Sequence, residues 1–482
     1  MENKSIWVND NNYSTHKSKK LNSNSATDIL IIGGGITGLT LAYLLKDSNY
    51  SVSLIDRTRI GYGVTSKSTA KITYLQGTIY QKLFSKFNYY TSHLYYKSQV
   101  EAINIIKDII SNNDIDCDLT NTPSIIFTLK DKNIKKINYE EKLLNRFNVN
   151  TSNITNCNKV KAGIKVNDTY CFNPIKYLND LYNLVSDKTN IYENITAFNI
   201  KKFNDFYYIN TSSGVIKSKI VIVACHYPFF VYPSFTPFKT YVKREYVSAG
   251  RCNNNCNYSA ITIDNKLHSV RFYNDYAIYV SNMHKITNKT NYSVNYNKNI
   301  ESFNKIFNSY PEYFWMNQDI ISYDNLPFIG AISDNLYIAT AFNSWGMTNG
   351  TISAKVISDL ILNNNSPYKK LFNPNRINLN LVFSSFFGSF FYIFAYIRSL
   401  FFKNNPHYIK IKDLIYGIYT DKFNITHSIK LICPHMKCNL VFNKKEKTWD
   451  CPCHGSRFDL DGNVISGPSV DNLCNNKKEK KH

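Results

Sequence analysis

Asp28-Ile-Leu-Ile-Ile-Gly-Gly-Gly-Ile-Thr-Gly38 opens as a short apolar run of buried-strand type and breaks at once into three consecutive glycines. An apolar helical pattern follows through Leu39, Leu41, Ala42, Leu44 and Leu45, and a second strand, Ser51 to Ile55, ends at Asp56. Strand, G-x-G-x-x-G, helix, strand and terminal acid form the dinucleotide fingerprint in the context it requires. Each piece has a mechanical reason. Gly33 makes the tight turn, Gly35 lets the backbone approach a pyrophosphate, and Gly38 packs helix on strand. The helix N-terminus, with Thr37 in its first turn, faces the phosphate charge, and Asp56 accepts hydrogen bonds from ribose hydroxyls.

The fingerprint alone does not separate FAD from NAD. Gly61 to Thr73, just after the second strand, is rich in small and hydroxyl side chains, among them Ser66 and Thr69. Read by itself it is a Ser/Thr-rich loop of no special duty. It resembles the segment lying against the pyrophosphate and flavin ring in the D-amino-acid-oxidase-like (glycine/amine oxidase) flavoprotein superfamily. Far downstream, Asp324 to Gly330 precedes a strand from Leu336 to Ala341, and Phe342 to Gly350 opens a helix reaching about Leu362. The resemblance implies that this second glycine-bearing turn, with Gly346 and Gly350, closes an FAD site. Relatives often carry glycine where Ala341 stands. The resemblance covers roughly residues 28 to 365.

Two segments are expected to build an antiparallel-sheet substrate subdomain, about 80–168 and 235–315. The first begins with a long helical stretch, Ser92 to Ile110, and the second alternates as strands do around Val242, Tyr246 and Arg271-Phe-Tyr273. In amino-acid-oxidising relatives a cation and a tyrosine from this sheet bind the substrate carboxylate. Arginine is scarce in this lysine-rich chain, so a retained arginine hints at a bidentate need. Arg244, Arg271, Tyr246 and Tyr273 are the substrate-binding candidates; no side chain is named as a catalytic base. His284 with Lys285 ends a strand, either as a charge near the flavin or as a surface loop end.

The C-terminal region reads Cys433-Pro-His435, fifteen residues, then Cys451-Pro-Cys-His454-Gly-Ser456. Two Cys and two His in C-x-H and C-x-x-H arrangement supply four ligands, a set that suits an iron–sulfur centre with His₂ on one iron. A Cys₂His₂ zinc site would accept the same ligands, although it needs neither the extra cysteines nor the following Gly-Ser. The segment resembles the respiratory Rieske proteins. That resemblance implies a [2Fe-2S] cluster, a Cys438–Cys453 disulfide clamping the ligand loops, and a proline-bearing third loop from Asp461 to Pro468. Ser456 is kept as a hydrogen-bond donor toward the cluster, but the relatives' tyrosine is Phe458, which implies a lower potential.

A chain of 482 residues with 43% hydrophobic and 19% charged residues suits two or three globular domains. The net charge of +22 is scattered rather than striped, so no nucleic-acid partner is expected. Of 11 cysteines, five fall between Cys433 and Cys474 and six lie scattered within the first 256 positions. That is unlike a secreted disulfide scaffold, and Met1 to Thr27 lacks a signal peptide's apolar core. A cytoplasmic location is expected. Ile377 to Ile397 holds no charged residue. Its polar residues Asn380, Ser384, Gly388, Tyr392, Tyr396 and Ser399 recur at steps of three or four, which predicts an amphipathic helix rather than a span. Such a helix docks two domains together or lies on an anionic membrane surface.

The expected layout is a polar arm (1–26), an FAD-dependent oxidoreductase domain (27–375), a linker helix (376–404), an all-β Rieske domain (405–474) and a basic tail (475–482). The fold class is α/β followed by β: a Rossmann-type FAD-binding domain with an inserted sheet, then the cluster domain. With the superfamily resemblance, this matches bacterial FAD-dependent oxidoreductases fused to a Rieske domain. The implied activity is oxidation of a small amine or amino acid at a C–N bond. Electrons pass from flavin through the cluster to a one-electron acceptor protein or quinone. The competing classes are an electron-transfer protein without a small substrate and a non-catalytic sensor or scaffold that keeps the cofactors as structural ligands.

Overall fold

A computed structural model describes residues 4–8, 19–21, 24–155, 159–252, 256–264, 268–287, 291–377, 379–400, 408–411 and 414–473. The expected basic tail lies outside them, as do the last residues of the expected linker. The elements that carry the site are, in chain order, β1 (Ser25–Ile32), α1 (Ile36–Leu45), β2 (Val52–Ile55), β3 (Gly214–Val223), β4 (Thr240–Arg251), β5 (Tyr313–Ser322), β6 (Leu336–Thr340), α2 (Gly346–Leu362) and α3 (Leu379–Leu400).

β1 runs parallel between β2 and β3, and β6 pairs in parallel with the end of β3. Residues 29–32 of β1 and all of β2 are buried, the continuous apolar reading of strands covered on both faces. α1 and α2 pack together over this sheet. Gly350 permits their approach, since a Cβ there would lie 2.8 Å from Thr37 Oγ1 and 2.9 Å from Ile36 Cγ2.

The second sheet has eight strands drawn from both expected segments. It is antiparallel except where Ser259–Thr262 runs parallel to Ser124–Thr128. Its outermost strand on one side, β5, pairs with β4 from Tyr313 to Ser322, so the sheet continues past the expected end at 315. Asn317, Gln318 and Asp319 break the apolar run there, which hid the strand in the sequence.

The C-terminal region folds as a three-stranded and a four-stranded antiparallel sheet around Leu431, Leu440, Trp449 and Phe458. Trp449 presses onto Gly417, where a Cβ would lie 2.4 Å from the indole ring. Helix α3 joins both bodies. Leu381 belongs to the core under the first sheet, while Ala395 belongs to the C-terminal core.

The N-terminal arm is not merely polar. Trp7 is fully buried and its indole N–H donates to Ser68 O at 2.7 Å. The ring packs edge-on to Tyr273, with the Arg271 guanidinium over its face. Nothing periodic surrounds Trp7 in sequence, so its burial had no pattern to reveal it.

Candidate functional site

The three-glycine turn sits at the carboxyl end of β1, where crossed α/β connections leave a crevice. Gly33 has φ +118 and a Cβ there would lie 2.5 Å from Ala224 O. At Gly38 an added Cβ would fall 1.9 Å from Gly33 O, whereas at Gly35 it would meet only Thr65 Oγ1 within 4 Å. Gly35 therefore presents bare backbone to a cavity of about 500 Å³ whose lining includes Gly33, Gly35, Thr37, Asp56, Thr69 and Gly346. Asp56 accepts from Gly34 N–H and Thr58 N–H, each at 2.7 Å. Burial raises its carboxyl above the usual range, and those two N–H groups work against that shift.

This cradle fits a dinucleotide: open backbone, a helix N-terminus and a buried acid at the end of β2. Gly38, Ser66 and Gly350 do not line the cavity. Ser66 Oγ instead donates to Gly63 O at 3.0 Å, and the two glycines serve helix packing. Ala341 has φ +60, with Asn343 at +56 and Ser344 at +69. The position favoured by glycine in relatives is a left-handed one, which costs a non-glycine residue roughly 1–2 kcal/mol.

The four substrate-binding candidates all point elsewhere. Along β4, Lys243, Glu245 and Val247 line the cavity, and alternation sends Arg244 and Tyr246 to the other face. Arg244 pairs with Asp450 of the C-terminal region at 2.7 Å, with side chains 1% and 0% exposed. It also donates to Gln318 Oε1, and Gln318 Nε2 donates to Gly455 O at 3.0 Å. Tyr246 packs edge-on against Tyr296 and stacks with His284, which places His284 on this outer face too. Arg271 donates to Thr69 O at 2.6 Å, Ala70 O at 3.1 Å and Phe172 O at 2.8 Å, bracing the loop beside the cavity. Tyr273 donates to Asp118 at 2.7 Å.

The cavity carries instead charged groups the sequence reading passed over: Lys71, Lys243, Glu245 and Asp319. Lys71 Nζ lies 2.6 Å from Ser269 Oγ, and burial lowers it to about 8. Glu245 and Asp319 face each other from paired strands and hydrogen-bond, with Ser344 Oγ donating to Glu245 at 3.2 Å. Burial raises Glu245 to about 8 and Asp319 to about 6. At neutral pH the pair therefore shares a proton. An acid inside an apolar strand was the available signal, but it needed the strand's facing to be known.

In the C-terminal region Cys433, His435, Cys451 and His454 converge. The two thiols hydrogen-bond each other, which lowers Cys433 and raises Cys451. The imidazoles of His435 and His454 lie 5.0 Å apart edge to face. His454 Nδ1 is buried without a hydrogen-bond partner, the state expected of a nitrogen that takes a metal. Backbone N–H groups of His435 and Met436 face the Cys433 sulfur, and those of Cys453 and His454 face the Cys451 sulfur. Cys438 and Cys453 form a disulfide with Cα atoms 6.6 Å apart. Ser456 Oγ accepts from Ser469 N–H at 3.0 Å, tying the first ligand loops to the proline-bearing loop.

That third loop reaches the flavin-domain crevice. Ile465 to Val470 line the same cavity as Gly33 and Gly346, and Arg57 donates to Ile465 O at 3.1 Å. Tyr392 of α3 stacks on His454 at 4.6 Å and donates to Thr240 O at 2.9 Å.

The family model described as FAD dependent oxidoreductase matches residues 28–360. The chain belongs to the FAD-dependent oxidoreductase family. A Rieske [2Fe-2S] domain model matches residues 391–476, which decides between an iron–sulfur cluster and zinc. This FAD-dependent oxidoreductase thus combines a flavin-binding fold with a Rieske domain. It is 28% identical over 477 residues to YhfW of Bacillus subtilis, described as a Rieske 2Fe-2S iron-sulfur protein, covering 93% of each chain. Over 67 residues it is 34% identical to the chloroplastic cytochrome b6-f complex iron-sulfur subunit of Arabidopsis thaliana, 14% of this chain and 26% of that protein. Glycine oxidase from Geobacillus kaustophilus shares the fold with a TM-score of 0.63 at 12% identity, over 74% of this chain and all of that one. L-amino acid deaminase from Proteus vulgaris does so with a TM-score of 0.61 at 14% identity, covering 76% of this chain and 100% of that one.

Proposed function

We propose that the oxidoreductase oxidises a small amine or amino acid at its C–N bond and passes the electrons through the Rieske cluster to an external one-electron acceptor, a protein or a quinone. The observation carrying this reading is that one cavity is lined both by the glycine turns and by the proline-bearing loop beside the cluster ligands. In this reading Gly33, Gly35, Thr37, Asp56, Thr69 and Gly346 hold FAD, and Cys433, His435, Cys451 and His454 hold the cluster. Bound FAD supplies two-electron oxidation and the cluster one-electron carriage.

The chain's own residues orient the substrate. The Glu245–Asp319 pair is placed to receive a protonated nitrogen, and Lys71 and Lys243 to receive an anionic group such as a carboxylate. Groups of both signs at one end of a largely apolar cavity suit a zwitterion or a short amine. Loss of the substrate's C–H and N–H removes two electrons and two protons, leaving a C=N bond.

An anaerobic screen of amines and amino acids tests this by following flavin absorbance and cluster EPR in the same sample. The expected result is flavin bleaching followed by a reduced-cluster signal. Bleaching by reduced partner proteins alone, with every amine and amino acid inert, would remove the C–N reading.

A further inference from the structure

Helix α3 turns the wrong way round for a soluble protein. Its inward side is built from Leu381, Gly388, Tyr392, Ala395 and Ser399. Gly388 is pressed so closely on Tyr323 that a Cβ would overlap the phenol. Asn439 donates to Ser399 O at 3.1 Å. The outward side carries Phe383, Phe386, Phe387, Phe390, Phe391 and Phe394, each between 44% and 68% exposed. At roughly 200 Å² per ring, the six leave on the order of 700 Å² of aromatic surface in water, above the 300–600 Å² typical of the largest patch on a monomer. The patch does not stop at the helix. The turn Thr236–Lys239 packs beside α3, and Tyr232, Phe235 and Phe238 there are 76%, 45% and 45% exposed.

Charge around the patch has one sign. Lys239 sits on the turn that packs against α3, and residues 377–400 hold one cation, Arg398, and no acid. Lys285 Nζ lies 5.2 Å from the Phe391 ring centre, and Arg398 is held to Thr287 O at 2.8 Å. We propose that this face seats the protein on an anionic lipid bilayer, with α3 lying in the plane of the interface.

Length and composition alone would let Leu381–Ser399 cross a membrane, but its inward residues are already packed into two protein cores. The helix can therefore offer lipid one side only, the arrangement of an interfacial helix with its aromatic face in the acyl boundary and cations at the headgroups. A second copy of this chain is the poorer occupant, because a two-fold pairing would set the basic rims against each other. The seat rests on the helix, the turn beside it and their cations, and stands apart from the substrate reading.

Flotation of the full-length holoprotein with phosphatidylcholine vesicles containing phosphatidylglycerol tests the seat. The wild type floats and is released by salt. The combined Phe386→Ser, Phe390→Ser and Phe394→Ser variant, with both cofactor spectra intact, floats at least about tenfold less. Lys285→Glu weakens flotation on anionic vesicles more than on neutral ones. A Phe394→Trp variant reads the contact directly, its emission shifting to the blue on vesicles. Wild type that stays with the soluble fraction overturns the seat, as does a triple variant that floats like wild type. A dimer in sedimentation velocity that the triple variant dissolves also overturns it, reassigning the face to self-association.

Discussion

The cluster pocket and the flavin cavity are built on opposite plans. All four residues proposed to hold the cluster fall between Cys433 and His454, on loops joined by one disulfide. The cavity collects its lining from Ile32 through Val470. A local site carries its geometry in its spacing. A dispersed site depends on which face of each strand turns inward, so one residue of parity error inverts every assignment along the strand.

The sharpest break in this comparison comes from Cys451→Ser. Oxygen replaces thiolate poorly at iron, and the ligand set is separate from the glycine turns. The Rieske EPR signal disappears while FAD stays bound, and substrate still bleaches the flavin. Reduction of a one-electron acceptor then falls at least about 100-fold; equal turnover in both proteins would make the cluster structural. Next in size is Arg244→Met. Burial works against the Asp450 carboxylate, but Arg244 and Arg457 outweigh it and hold it below the usual range. Removing Arg244 leaves Asp450 with Arg457 as its remaining cation and costs about 1.5–3 kcal/mol for the charged hydrogen bond lost. Calorimetry should show the cluster domain melting earlier, while the flavin domain is hardly changed.

Glu245→Gln probes the dispersed site through pH. Both carboxyls are raised by burial, Glu245 to about 8 and Asp319 to about 6. The pair gains negative charge as pH climbs through that window, so kcat/KM for a cationic amine should rise by about tenfold across it. In the variant the step attributed to Glu245 is lost, and an unchanged profile would separate the pair from substrate. The smallest effect expected is from Phe458→Tyr. Phe458 is fully buried, and a hydroxyl there gains one hydrogen bond of about 1 kcal/mol toward the cluster. Voltammetry should show the potential rising by on the order of 40 mV.

The same contrast explains what could be read beforehand. The glycine turn, the acid ending β2 and the two Cys–His pairs that the structure brings together were legible because each motif keeps its residues close together in sequence. Arg244 and Arg271 were legible as unusual residues, and both are indeed committed to buried polar networks. Their partners lie between 74 and 206 positions away, so the sequence pointed to a bidentate need without saying for whom. Lys243 and Glu245, their neighbours on the inward face, were hidden by the same ambiguity. The polar spacing along α3 was read correctly as a helix with two faces. Which face met protein was set by Tyr323, Thr240 and His454, none of which that spacing could announce.

Arg57, Arg244 and α3 together tie the two domains at several points, at Ile465, Asp450 and Ala395. A cluster domain fixed in this way has no swing to complete between receiving and delivering an electron. Its internal transfer should then be indifferent to solvent viscosity: added glycerol or sucrose would slow the encounter with the external acceptor and leave the flavin-to-cluster step at its dilute-buffer rate.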